Sequence, residues 1–234
     1  MSRKRIPVAA GEGIPEAVAA RKNLQRSRII SYLVTATEQL IRDEGIQQVT
    51  SRKIGMAAGY SSATIYTYFE DVDELILFAS VGYLRDYVRT LSTLDLKSLN
   101  ARERYERVTR RFTETMFRNP EIFYNMFFGR HRDQLDSILR EYYAIFPEEI
   151  SNLSDSLRQT IFEGSLYSRH RHMVAALVRD GFVSEASGDV LTELAVRLQQ
   201  SFLLELKEGQ GDADAALARF CALFSSLLDA YAAR

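Results

Sequence analysis

Residues 50–69, TSRKIGMAAGYSSATIYTYF, constrain this chain more than any other stretch. They follow the helical run RIISYLVTATEQLIRDEG and precede the acidic start EDVDELILF. Thr50 or Ser51 is placed to cap a first short helix by accepting free backbone N–H bonds. Ile54, Ala57 and Ala58 form its apolar side, and Gly59 supplies a turn. Ser61 or Ser62 caps a second short helix, with Ile65 and Phe69 facing inward. Asp71 can cap a longer helix beyond. The outer face of the second short helix carries hydroxyls and tyrosines in place of an apolar stripe. Two short helices around a glycine turn, with such a face, define a helix-turn-helix, whose second helix enters a DNA major groove.

A helix in a groove about 12 Å wide needs short or planar hydrogen-bonding side chains near its N-terminus. Ser62, Ala63, Thr64 and Thr67 fit that need: hydroxyls donate to or accept from several bases, and a methyl can meet a thymine methyl. Arg52, on the first short helix, is the long cation placed to reach a guanine edge, and Lys53 suits a phosphate. Thr50, Ser51, Ser61, Tyr66 and Tyr68 complete the candidate set; such residues hydrogen-bond phosphates and fix register without reading sequence. For each tyrosine the competing role is to seal the small core of the head.

Charge supports a nucleic-acid end. Net charge is −1, but residues 1–70 carry about +4 and residues 71–234 about −5. A basic head on an acidic body is the pattern of a small DNA-binding unit joined to a non-binding one. Arg3, Lys4 and Arg5 lie in a non-periodic Ala/Gly/Pro-containing segment, 1–20, expected to be a mobile basic arm or solvated tail.

Elsewhere the chain reads as helix throughout. Apolar spacing becomes helical at Leu24 and ends at Gly45. After the expected connector helix 72–94, helices are predicted at about 101–118, 120–145, 148–163, 165–180, 187–207 and 212–232. Pro120 suits a first turn and Pro147 a break. The fold class is all-α, about nine helices in all. Three parts are expected: the arm 1–20, a helix-turn-helix domain 21–71, and a helical ligand-binding and dimerisation domain 72–234.

From about Arg26 to Leu77 the chain resembles the DNA-binding domain of the TetR family of bacterial transcriptional regulators. The resemblance is carried by the first helix ending in EGI, by Thr50 and Ile54, by the AAGYS turn, by ATIYTYF, and by the acidic/Leu start of the next helix. It implies that Thr50, Tyr66 and Tyr68 meet the DNA backbone. It also implies a homodimer on a palindromic operator, a small-molecule effector, and most often repression. Three positions depart from the family pattern. Val72 stands where a phosphate-binding lysine is usual, Gly55 where alanine is usual, and Ala63 where glycine is usual. Gly55 is expected to cost on the order of 1 kcal/mol of helix stability.

Two apolar stretches suit the implied four-helix dimer interface. One carries Leu194, Leu198 and Phe202, the other Leu217, Phe220, Phe224 and Leu228, although packing within one chain is the competing use. The middle of the chain concentrates Phe112, Met116, Phe123, Tyr124, Phe127, Tyr142, Phe146, Phe162 and Tyr167. These either line a pocket for a small apolar or aromatic effector or simply fill core. Arg118, Arg130 and Arg158 are candidates to pair with an anionic ligand. A DNA-binding factor governed by a protein partner is the alternative function.

Other chemistry finds little support. His170 and His172, two apart on a helix, diverge, and with His131 they lack a completing Cys or carboxylate pair, so no metal is expected. No phosphate-cradling Gly loop or nucleophile elbow occurs, so neither a cofactor nor an enzyme activity is predicted. The single cysteine, Cys221, fits a packed thiol in a reducing cytoplasm. With 46% hydrophobic residues there is still no apolar run near the roughly 20 a membrane span needs.

Overall fold

The computed structural model describes residues 16–96, 98–153, 158 and 161–232. Among these, every regular element is a helix: α1 (Glu16–Glu44), α2 (Ser51–Ala58), α3 (Ser62–Tyr68), α4 (Val72–Ser80), α5 (Arg85–Thr93), α6 (Ala101–Arg118), α7 (Pro120–Phe128), α8 (Leu135–Ile145), α9 (Leu166–Arg179), α10 (Glu185–Lys207) and α11 (Ala213–Tyr231). The chain divides into two compact units, Met1–Ala79 and Ser80–Arg234, so most of α4 belongs to the first. That division falls eight residues beyond the boundary expected from sequence.

In the first unit, Ile30, Leu33, Val34 and Ile41 of α1 are buried with Ile54 of α2 and Ile65 of α3. Phe69 meets Phe78 edge-on, ring centroids 5.6 Å apart. Fully burying a side chain of this size contributes roughly 1.5–3 kcal/mol, so these few residues carry most of the head's cohesion. α1 begins at Glu16, eight residues before its apolar periodicity does. Residues 16–20 are therefore helix, not arm, while Arg3, Lys4 and Arg5 lie outside the described residues. The extension holds good helix formers but no buried stripe: Val18 and Leu24 are exposed.

Two helices predicted as continuous are broken. The connector 72–94 passes through a 3-10 turn, Val81–Leu84, that contains Gly82, a poor helix former. The segment 120–145 stops at Gly129, whose N–H donates to the Asn125 carbonyl at 2.9 Å. A Cβ at Gly129 would lie 2.2 Å from that oxygen, so this tight exit requires glycine. Pro147 opens only a short 3-10 turn, Pro147–Ile150, where a helix 148–163 was predicted; part of that range lies outside the described residues.

The second unit is built on α6. A capping box starts it: Asn100 accepts the Glu103 N–H while the Glu103 carboxylate accepts the Asn100 N–H, each at 3.0 Å. α6 packs against α9, α10 and α11. Ala216, Phe220, Phe224 and Leu228 recur every four residues on α11 and are all buried, one stripe of a single helix face. Phe117, Phe202 and Phe220 interlock there with ring centroids 6.0 Å apart.

Candidate nucleic-acid interface

The turn between α2 and α3 is set by local chemistry. Thr50 caps α2, its hydroxyl oxygen accepting the Lys53 N–H at 3.3 Å. Gly59 ends α2 in the left-handed region, φ 74°, and the Tyr60 N–H reaches back to the Gly55 carbonyl at 2.9 Å. Gly55 is buried, and a Cβ there would sit 2.8 Å from the Tyr60 carbonyl oxygen and 3.2 Å from the Ser62 nitrogen. The glycine expected to weaken α2 is thus what lets the turn close. Ser61 is the residue preceding α3, and its hydroxyl pairs with that of Thr64 at 3.0 Å rather than with a backbone N–H.

Ile54 and Ile65 are fully buried, which turns the opposite faces of α2 and α3 outward. Arg52, Thr50, Ser61, Ala63, Tyr66 and Thr67 are all exposed there, and Tyr66 is 55% exposed. Arg52 has no partner among the described residues. Tyr68 is half-buried under the Arg26 guanidinium, 6.0 Å from its ring centroid, so it combines a sealing role with a reachable hydroxyl.

Two candidates are placed differently from expectation. The Ser62 hydroxyl donates to the Ser51 carbonyl at 3.3 Å, so Ser62 and Ser51 tie α3 to α2. The Lys53 ammonium donates to the Glu44 carboxylate at 2.5 Å and to the Gln48 carbonyl at 3.0 Å. It is held by the end of α1 and must leave Glu44 to engage a phosphate fully. At the start of α4, Asp71 accepts the Glu74 N–H at 2.8 Å and Glu74 accepts the Glu70 N–H at 2.5 Å. Half-buried Val72 and exposed Asp73 follow Asp71, with no cation among them.

In the second unit, the nine aromatic-region candidates mostly pack as core. Met116, Phe123 and Tyr142 are fully buried, Phe123 stacks on Phe127 at 6.3 Å, and Tyr142 meets Phe146 at 4.7 Å. Phe162 packs against Tyr143 at 5.9 Å, Tyr124 lies beneath the Lys207 ammonium at 4.7 Å, and the Tyr167 hydroxyl donates to Glu193. Phe112 alone of the nine borders a small, partly open cavity of about 30 Å³, shared with Tyr87, Tyr105, Arg169, His170 and Gln199. Arg118 pairs with Glu114 at 2.8 Å, and Arg158 donates to the Ser151 and Leu153 carbonyls, so both are engaged within the chain.

That cavity holds residues the sequence reading missed. The Tyr105 hydroxyl lies 2.7 Å from His170 Nδ1, and His170 Nε2 lies 2.8 Å from Gln199 Oε1. Gln199 Nε2 in turn donates to the Thr113 hydroxyl at 2.8 Å. Burial, with the nearby Arg169 charge adding to it and the Gln199 contact opposing, pulls the His170 imidazole down to about 4. Burial likewise pushes the Tyr87 phenol up to about 12, against the pull of Arg169. One signal was available: Leu166, Arg169, His170, Val174 and Leu177 fall on one helix face, and all are buried.

The presumed dimer residues also divide. Phe202, Phe220, Phe224 and Leu228 are spent in the core, each at most 3% exposed. Leu194 is 38% exposed, Val190 44% and Leu223 50%, while Leu198 and Leu217 are half-buried.

A short-helix head with a helix-turn-helix, together with an all-helical body, makes up a helix-turn-helix DNA-binding fold. Residues 33–79 match the family model for bacterial regulatory proteins, tetR family. That match covers the head alone, and the family it describes is one of DNA-binding transcriptional regulators. No curated protein matches. Among solved structures, a TetR transcription regulator from Haloarcula marismortui ATCC 43049 is 17% identical, covering 88% of this chain and 100% of its own, with a TM-score of 0.54. Thermus thermophilus FadR, a TetR-family transcriptional repressor in complex with lauroyl-CoA, is 19% identical, covering 85% and 92%, with a TM-score of 0.52. At such identities the likeness is one of fold. No helix among the described residues is long and apolar enough to cross a membrane.

Proposed function

We propose that this protein is a sequence-specific regulator that reads a palindromic operator as a homodimer and is released by a small-molecule effector, acting as a repressor. The observation that carries it is the outward face of the head, where Arg52, Ala63, Tyr66 and Thr67 stand exposed while Ile54 and Ile65 anchor α2 and α3 from behind. Arg52, Ala63, Thr64 and Thr67 read base edges. Thr50, Ser61, Tyr66 and Tyr68 hold phosphates. Lys53 adds a phosphate contact only on leaving Glu44, and Ser51 and Ser62 position α3.

A single head reaches one half-site, so two copies are needed to read two half-sites about 34–36 Å apart. The surface offered to a second copy is Val190, Leu194 and Leu198 of α10 with Leu217 and Leu223 of α11. Here the core phenylalanines behind them stiffen the face rather than contact the partner. The solved FadR structure, similar in fold, holds lauroyl-CoA, which supports a small-molecule effector; we place its site in the body. An effector that binds one arrangement of the dimer better by 1–3 kcal/mol changes operator affinity about 5–150-fold.

Footprinting on DNA beside the protein's own gene tests this. Two protected segments one helical turn apart, with inverted symmetry, are expected, and protection is lost with effector. Protection without symmetry or sequence preference contradicts it.

A further inference from the structure

Among the described residues of the body, the buried Arg169 cation has no bonded counter-ion. Arg169 is 7% exposed, and its Nη2–H donates to the Ile161 carbonyl at 3.1 Å. Its Nε and Nη1 groups have no acceptor, and neither does the buried Tyr143 hydroxyl, whose acidity feels the Arg169 charge. Glu163 and Asp136 act on Arg169 only through space; one Glu163 oxygen faces His172 at 3.3 Å while the other is buried without a hydrogen-bond partner, and Asp136 accepts the Gly164 N–H at 2.6 Å. A buried cation with idle donors is costly, and native proteins keep one where something pairs with it.

The surroundings say what that partner is. Phe112 lies 4.8 Å from the guanidinium carbon and Phe127 6.0 Å, so two aromatic rings engage the cation while its Nε and Nη1 keep no hydrogen-bond acceptor among the described residues. Those donors therefore remain for an oxyanion. The cavity beside Arg169 measures about 30 Å³. A water needs roughly 10–15 Å³ of such space, so there is room for two waters or one carboxylate head. The Tyr105, His170 and Gln199 side chains of the lining are already satisfied, since the Tyr105–His170–Gln199–Thr113 chain bonds internally. Val108 and Met173 are the half-buried members of the lining, which marks the way in.

We propose that Arg169 anchors an anion subsite in the body, and that the effector is a small monocarboxylate with an apolar body. The carboxylate takes the Arg169 donors, and the apolar part displaces the flexible Met173 side chain at the lip. This rests on the body being the effector domain and specifies the effector's chemistry.

The test uses the full chain, melted with sodium benzoate and with benzamide at matched ionic strength. Benzoate is expected to raise the melting temperature progressively, and benzamide to need at least tenfold more for the same shift. Arg169→Met is expected to melt cooperatively and to lose the benzoate shift. Val108→Phe, which fills the lip, is expected to lose it too and serves if Arg169→Met does not fold. Equal shifts with the two probes, no benzoate shift in the wild type, or a retained shift in a folded variant would overturn the proposal. Operator binding without any probe is measured alongside for each protein. Loss of DNA binding by the wild type, with the benzoate shift intact, overturns the regulator assignment and leaves the anion site standing.

Discussion

Gly55 and Tyr60 are packed so closely that a single methyl on Gly55 would fall 2.8 Å from the Tyr60 carbonyl oxygen. The obstacle is backbone, which cannot swing aside as a long side chain does. Gly55→Ala gains up to about 1 kcal/mol of helix propensity but incurs overpacking of roughly 1–3 kcal/mol. Urea denaturation is expected to show a net loss of stability, together with weaker DNA binding as α3 is pushed from its seat. A more stable variant with unchanged DNA affinity would show that the turn is not closed this tightly.

Lys53 and Glu44 form an ion pair in which both side chains are about 40% exposed, 40% and 39% respectively. Surface pairs of this kind are worth about 0.2–1 kcal/mol, so Glu44→Gln is expected to change stability little. Its effect falls on DNA: with Lys53 released, one more phosphate is neutralised, and the slope of log affinity against log salt steepens by about 0.9. Titration at several salt concentrations reads this directly. An unchanged slope places Lys53 away from the backbone.

Arg52 and Tyr66 are assigned different work, and variants separate them. Arg52→Ala is expected to cost about 1–3 kcal/mol on the preferred site and to relax preference at one base position. Tyr66→Phe is expected to weaken all sequences alike, by about 0.5–1.5 kcal/mol, since one phosphate bond is lost. Binding to a library of single-base operator variants distinguishes the two patterns. Unaltered base preference in Arg52→Ala removes that residue from the reading set.

His170 gives the body a pH dependence whose sign is fixed. Its folded value, about 4, lies below the ordinary 6.5, so the unfolded chain binds the proton more readily. Stability from this group is complete above pH 6.5, falls as pH drops, and is lost below about 4. By pH 5 the loss amounts to about 2 kcal/mol. Urea midpoints at pH 7 and pH 5 are expected to converge for His170→Gln relative to the wild type, whatever that variant costs at pH 7.

Leu194 and Leu223 report on self-association without disturbing the interior, being 38% and 50% exposed. Leu194→Glu and Leu223→Glu are expected to shift the protein from dimer to monomer in sedimentation while it stays folded. Phe220→Ala, in contrast, opens a cavity in the core and is expected to cost about 3–5 kcal/mol. A dimer that survives both glutamates lies on another surface.

The head was legible in the sequence because its signals are local: a capping threonine, a glycine turn, and two isoleucines at helical spacing. What was misjudged depended on contacts between elements. Gly55 counted as a weak helix residue until Tyr60 was seen beside it, and Lys53 as a free cation until Glu44 was. In the body, periodicity gave helices but not neighbours. The α11 stripe was therefore apolar enough for either a core or a partner, and packing showed Phe220 and Phe224 to be core. Arg169 was not singled out, and His170 was weighed only as a metal ligand. Their placement on the buried face of α9 was visible only through the leucines around them. Breaks at Gly82 and Gly129 were missed because apolar periodicity continues across both.

The central claim is that the α2–α3 face reads a particular DNA sequence. Fluorescence anisotropy of the full chain on a labelled duplex from beside its own gene, against a scrambled duplex of equal composition at the same salt, tests it most directly. A preference of about 10³-fold or more for the native duplex is expected, reduced about 5–150-fold in Arg52→Ala. Equal affinity for the natural duplexes flanking the gene and their scrambled counterparts would contradict it.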